Sequence, residues 1–178
     1  MGITRFIFFK ILGWSIQGKF DPSIKKSVVI VVPHTSWHDF YIGVFARRIS
    51  KTQINFIAKK ELFKPPFGWY FRWMGGAPLD RTPGQKKVIS IAKVFDAHDE
   101  FRLALAPEGT RKKVDTWKTG FYYIAKTANV PVIPVAFDYK TKTVFINKAY
   151  YLTNDIVLDL KQLQDNFKNV IGKIPKYS

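Results

Sequence analysis

The strongest constraint on the fold is an alternation of apolar, strand-like runs with helical stretches. Residues 27–32 (Ser27, Val28, Val29, Ile30, Val31, Val32) form a β-branched run that Pro33 halts. Residues 130–137 form a second buried strand, bounded by prolines. Shorter runs at residues 53–58, 101–106 and 142–148 also read as strands, the second of them halted by Pro107. Between them lie helical patterns. One starts at Phe40. Another is opened by Thr82 and Pro83 and carries an apolar stripe of Val88, Ile91, Ala92 and Phe95. A third covers residues 120–128, and a fourth runs from Asp155 through Ile156, Leu160, Leu163 and Phe167. Pro65 and Pro66 break the chain before the aromatic residues 69–73, and Gly75, Gly76, Ala77 and Pro78 read as a turn. Strand–helix alternation with short connections implies an α/β domain, with a central, mostly parallel sheet flanked by helices.

At 178 residues the chain is sized for one domain with a substantial core. Its lack of cysteine excludes disulfides, thiolate nucleophiles and cysteine-based zinc sites, and fits a cytoplasmic location. The net charge of +16 points to anionic company: nucleic acid, an anionic membrane surface or phosphorylated substrates. The basic residues are spread along the chain, so charge does not choose among these. Residues 3–16 are rich in Phe, Ile, Leu and Trp, interrupted by Arg5 and Lys10. They lack a cleavage site and are too short to span a bilayer. Two readings fit: an amphipathic helix lying in a membrane interface, and a helix buried on the core. Lys10, Lys19, Lys25 and Lys26 favour the membrane.

Pro33-His34-Thr35-Ser36-Trp37-His38-Asp39 follows the first strand directly. A histidine at a strand end, with an aspartate able to fold back onto its ring, suits a general base. Ser36 and Asp39 also have the spacing of a capping box, with the acid in the first helical turn. A metal site built on His34 and His38 is the weaker alternative, because His34 precedes the helix and the glutamate of an HExxH pattern is missing. His98 reads as a solvated residue near a helix end.

Further segments sit at the ends of expected elements. Residues 75–81 end in Asp80 and Arg81, and Pro107 is followed by Glu108, Gly109, Thr110 and Arg111. Arginine presents paired donors that match phosphate, and Gly109 lets backbone approach a ligand closely. Singly, each arginine could equally form a surface ion pair, Asp80 with Arg81 for instance. Together and in this order, His34-x4-Asp39, Gly75 to Arg81, Pro107 to Arg111 and Val132-Ile133-Pro134 resemble the four motifs of the glycerolipid acyltransferase family. Within that family the 1-acylglycerol-3-phosphate acyltransferases are the most similar.

The resemblance implies an O-acyltransferase acting on a lysophospholipid. Residues 1–26 would be an N-terminal membrane-interface helix and linker, and residues 27–178 the acyltransferase domain. His34 would deprotonate the acceptor hydroxyl, with Asp39 orienting it. The donor would be acyl-CoA or acyl carrier protein, with no metal or redox cofactor. Arg81, Glu108, Gly109, Thr110 and Arg111 would hold the glycerol phosphate. Lys59 would face the thioester oxyanion, and Ile133 and Pro134 would shape the acyl-donor side. The location would be the cytoplasmic face of a membrane, peripheral or monotopic. Three positions depart from the family pattern. Pro78 stands in place of a bulky apolar residue, Ala106 in place of phenylalanine, and Lys112 in place of a small serine. Only 33 residues precede His34. These differences leave the acceptor open to another lysolipid. The non-enzymatic alternative is a basic protein that binds anionic lipid or nucleic acid, but no nucleic-acid motif supports a nucleic-acid partner.

Overall fold

The computed structural model describes residues 2–79 and 85–178. Seven strands form one sheet: β1 (Ser15–Gly18), β2 (Lys26–Val32), β3 (Asn55–Lys59), β4 (Gly76–Leu79), β5 (Phe101–Leu105), β6 (Val132–Asp138) and β7 (Thr143–Ile146). Their spatial order is β1-β7-β6-β2-β5-β3-β4. Every neighbouring pair is parallel except β6–β7. The mixed α/β, mostly parallel sheet expected from the alternation is therefore the architecture observed. The β-branched run lies at its centre, where Val28, Val29 and Ile30 are buried between β5 and β6.

Successive residues of the central strands feed two separate cores. Val28, Ile30, Leu103 and Val132 pack under α4 (Gln85–Asp96), α5 (Gly120–Thr127) and α6 (Ile156–Asp165). Val29, Ile133, Val135 and Phe137 pack on the other face, against α2 (His38–Ile49) and the N-terminal helix. The stripe Val88, Ile91, Ala92 and Phe95 belongs to α4, as its spacing predicts.

Topology follows from handedness. The connection from β2 through α2 leads to β3 on one side, whereas that from β5 through α5 leads back across β2 to β6. Right-handed crossovers in opposite directions put α2 and α5 on opposite faces. The loops leaving β2 and β5 therefore diverge and open a crevice at the carboxyl ends of these two adjacent strands, the usual place for a ligand in such sheets.

Three segments differ from the expectations. The N-terminal helix is α1 (Ile3–Phe6), continued by a π-helical turn (Ile7–Ile11), and it ends five residues before Ile16. Ile16 lies instead in β1, which pairs with β7 as an edge strand. Phe8 is fully buried and stacks on Phe45 of α2, while Ile3, Phe6 and Ile11 remain exposed. The segment thus packs on the core along one side only. Of the residues read as a turn, Gly75 to Pro78, the last three lie in the edge strand β4, and the aromatic residues before them form α3 (Gly68–Trp73). The helix start at Thr82 and Pro83 lies outside the described residues. Among the described residues, no helix is long and apolar enough to cross a membrane.

Candidate active site

β2 ends at Val32, and the chain then turns through Pro33 to begin α2 at His38. Asp39 sits in the first turn of α2 and is only 3% exposed. A carboxylate buried this deeply needs donors. Its Oδ2 accepts from the backbone amides of Thr35 and Ser36, both at 2.9 Å, and lies 3.0 Å from His34 Nδ1. Its Oδ1 accepts the Tyr139 hydroxyl at 2.7 Å. Asp39 thus makes both contacts at once: it accepts from the backbone ahead of its helix and lies against the histidine, although the helix is capped at Trp37 with no side-chain cap bond and not at Ser36. With Nδ1–H directed at the carboxylate, the lone pair of His34 lies on Nε2. The His34 side chain remains 27% exposed, so a substrate can reach that ring.

The second wall of the crevice comes from the loop after β5. Glu108 Oε2 accepts the His34 backbone amide at 2.6 Å and so ties the β5 loop to the β2 loop. Burial pushes the Glu108 carboxyl above the ordinary glutamate value, against the opposing pull of the His34 amide. Gly109 follows in the left-handed region, at φ +65°. That backbone conformation favours glycine; a Cβ there would lie 2.8 Å from the end of the Lys118 side chain, which is flexible enough to move aside. Beside the loop opens a cleft of about 890 Å³ between α4 and α5, lined by Ile57, Leu105, Ala106, Pro107, Phe121 and Ile124 among others.

Residues 16–138 match the model of the acyltransferase family. The chain belongs to that family. It is 34% identical to the 1-acyl-sn-glycerol-3-phosphate acyltransferase of Streptococcus pneumoniae over 136 residues, covering 71% of this chain and 50% of the relative. The enzyme of the same name from Escherichia coli is 27% identical, over 73% of this chain and 54% of its own. The chain thus spans about half the length of these relatives. The crystal structure of the 1-acyl-sn-glycerophosphate acyltransferase from Thermotoga maritima shares the fold, with a TM-score of 0.63 at 22% identity, covering 90% of this chain and 72% of that one.

Within this acyltransferase fold, the residues singled out from sequence fall into separate groups. His34, Asp39 and Glu108 converge at the crevice. Gly109, Thr110 and Arg111 continue the loop from Glu108, with Thr110 and Arg111 exposed. Glu108 itself is buried against the His34 amide, which limits its part in holding a phosphate. Lys59 is the last residue of β3, two strands from β2. Arg81 lies outside the described residues. Ile133 and Pro134 do not line the cleft. They pair with Val29 and Ile30 inside the sheet and are buried, because alternate side chains of β6 feed the two cores. They brace the strand that carries His34. His38 Nδ1 lies 2.9 Å from Ser36 Oγ, and exposed His98 bonds the Val94 carbonyl. Among the described residues, no three metal-ligating side chains come together.

Two parts of the site have no mark in the local sequence pattern. Tyr139 follows β6 immediately, and its hydroxyl reaches Asp39. Trp14 packs edge-on against its ring at 4.9 Å. The C-terminal segment also closes on the β2 loop: the Ile174 amide donates to Thr35 Oγ1 at 3.2 Å, and Gly172 sits so close that a Cβ would lie 2.6 Å from Thr35. A tyrosine just past the end of a strand adjoining the histidine strand is the signal that could have indicated Tyr139.

Proposed function

We propose that the protein transfers a fatty acyl group from a thioester, on CoA or on acyl carrier protein, to the free hydroxyl of a 1-acylglycerol-3-phosphate. The observation that carries this reading is the 3.0 Å contact between His34 Nδ1 and Asp39 Oδ2, at the mouth of a crevice tied together by Glu108. The names of the relatives support the acceptor.

An alcohol is a poor nucleophile near neutral pH, so it needs a positioned base. His34 Nε2 takes the hydroxyl proton as the oxygen attacks the thioester carbonyl. Asp39 stabilises the imidazolium so formed. The tetrahedral oxyanion collapses, the carbon–sulfur bond breaks, and the imidazolium returns its proton to the departing thiolate. The thioester brings its own leaving group, so the reaction needs no acyl-enzyme and no cofactor. Lys59 is the candidate donor to the oxyanion. Arg81 and Arg111, with Gly109 and Thr110, are the candidate ligands of the acceptor phosphate. The apolar cleft that begins at Pro107, next to Glu108, suits an acyl chain. Ala106 lines it where the family usually has phenylalanine, and the space this leaves favours a second reading in which a different lysolipid is accepted. The protein sits peripherally on the cytoplasmic face of a membrane, with Ile3, Phe6 and Ile11 turned toward lipid.

The test is thiol release from acyl-CoA and from acylated carrier protein across a panel of lysolipid acceptors. Replacing His34 by alanine should lower acyl transfer by about 10²–10⁴-fold while the protein stays folded. Near-normal turnover in His34→Ala would sink the mechanism. Turnover confined to an acceptor without phosphate would sink the phosphate-binding assignment.

A further inference from the structure

Beside the crevice, the surface is aromatic. In α3, Phe71 turns inward toward Phe63 and Phe40, whereas Trp69 and Trp73, four residues apart on one side of the helix, are 69% and 66% exposed. Phe67 and Tyr70 extend this exposed surface. Phe40 connects it to the first turn of α2, where Trp37 and Tyr41 are also exposed with ring centroids 5.4 Å apart. Trp37 and Phe40 flank His38 and Asp39 in sequence, so the aromatic surface borders the loop that holds His34. The charge in this stretch has one dominant sign. Residues 51–79 contain Lys51, Lys59, Lys60, Lys64 and Arg72 against Glu61 alone. Arg72 lies over the Phe63 ring at 5.7 Å, and both it and Lys64 are exposed.

We propose that the aromatic surface of α3 and the first turn of α2 docks on an anionic bilayer, separately from the N-terminal helix. Tryptophan and tyrosine combine an apolar body with a polar edge and settle at the level of lipid headgroups. Basic side chains around them gain from anionic headgroups. An exposed aromatic surface of this kind, edged by one sign of charge, matches an acidic lipid interface in both respects. Docking there sets the crevice against the membrane, so that a lysolipid reaches His34 without leaving the lipid phase. The orientation of the acceptor rests on the acyl-transfer reading. The docking itself does not.

The experiment pairs a double variant, Trp69→Ser with Trp73→Ser, with a charge variant, Lys64→Glu with Arg72→Glu. Binding is read by sedimentation with vesicles of phosphatidylglycerol and phosphatidylcholine, and by quenching of tryptophan fluorescence with brominated acyl chains. Both variants replace exposed side chains, so their melting curves should match the parent. Each should bind vesicles roughly tenfold or more weakly. Each should also show a raised KM for lysophosphatidate presented in vesicles, with unchanged turnover on a short-chain acceptor dissolved as monomer. Unchanged vesicle binding by the tryptophan variant overturns the proposal. So does a variant that loses only self-association, or only affinity for acyl carrier protein. If the parent protein acylates neither form of the acceptor, the acyl-transfer reading fails, while sedimentation and quenching still decide the docking surface.

Discussion

Two of the three aspartates buried among the described residues, Asp39 and Asp159, are held in nearly the same way toward opposite ends of the chain. Asp39 accepts from two backbone amides, a tyrosine hydroxyl and a histidine ring. Asp159, fully buried in the first turn of α6, accepts from the hydroxyls of Tyr122, Tyr150 and Thr153 and from the Thr153 amide. Burial works against the Asp159 charge, but its donors from Tyr150, Thr153 and Tyr122 outweigh it and hold the carboxyl below the ordinary value of 3.8. In turn, burial and this carboxylate push Tyr150 up to about 12. The side-chain donors to Asp159 are all hydroxyls. At Asp39 one partner is an imidazole, and its ring is partly open to solvent. A satisfied buried carboxylate is therefore not in itself a functional sign. What separates the two is a titratable partner that a substrate can reach.

The largest expected contrast comes from removing each carboxylate. Asp39→Ala leaves His34 Nδ1 without its carboxylate partner, which on the proposed mechanism orients the ring and stabilises its imidazolium. Acyl transfer should fall by about 10²–10⁴-fold, the span typical of losing general-base catalysis. Asp159→Ala should leave transfer per folded molecule near that of the parent. Its cost is stability, on the order of 3 kcal/mol, because buried hydroxyl and amide donors lose a charged acceptor. Chemical denaturation and initial rates on the same two preparations check the contrast. Asp159→Ala losing activity in step with Asp39→Ala would erase it.

A smaller effect appears in acid. Because the folded-state value of Asp159 is depressed, its contribution is complete above pH 3.8 and is lost as pH falls through the lower folded value. Asp138, buried and bonded to Thr141, Ile171 and Lys140, is depressed as well and adds in the same direction. Thermal melts of the parent should decline steeply below about pH 4, and melts of Asp159→Ala less steeply. Parallel declines would show that Asp159 is not ionised in the folded state to the degree its donors require.

The two aspartates also differ in how far sequence exposes them. Asp39 and His34 are five residues apart, so their meeting is set by a single turn and can be read locally. Glu108 and Tyr139 meet the same turn from 74 and 100 residues away, distances that only the strand order closes. Fold elements divide along the same line. The β-branched runs at β2 and β6 announce themselves because both of their faces are buried. β1 and β4 include Gly18 and Gly76, and little in their composition marks a strand. Pairing with β7 and β3, not local propensity, makes them strands.

The finest discrimination concerns Tyr139, which has the position at Asp39 that Tyr122 and Tyr150 have at Asp159. Burial first, then the bond and charge of Asp39, push the Tyr139 hydroxyl well above the ordinary tyrosine range, so it stays a donor throughout the working pH range. Its bond draws charge density from Asp39 that would otherwise face His34. Tyr139→Phe keeps the ring against Trp14 and removes only the hydroxyl. A positioning role predicts two changes together. Transfer falls about five- to tenfold, equivalent to one hydrogen bond of roughly 1 kcal/mol. The acidic limb of the rate profile also moves to higher pH, since an imidazolium facing the fuller charge of Asp39 gives up its proton less readily. A structural role would lower the melting temperature and leave that limb in place. Tyr150→Phe is the matched control at Asp159: it should cost stability by a similar amount and leave the rate profile unmoved. If both phenylalanine variants behave alike, the two carboxylates are equivalent, and Tyr139 is packing rather than part of the site.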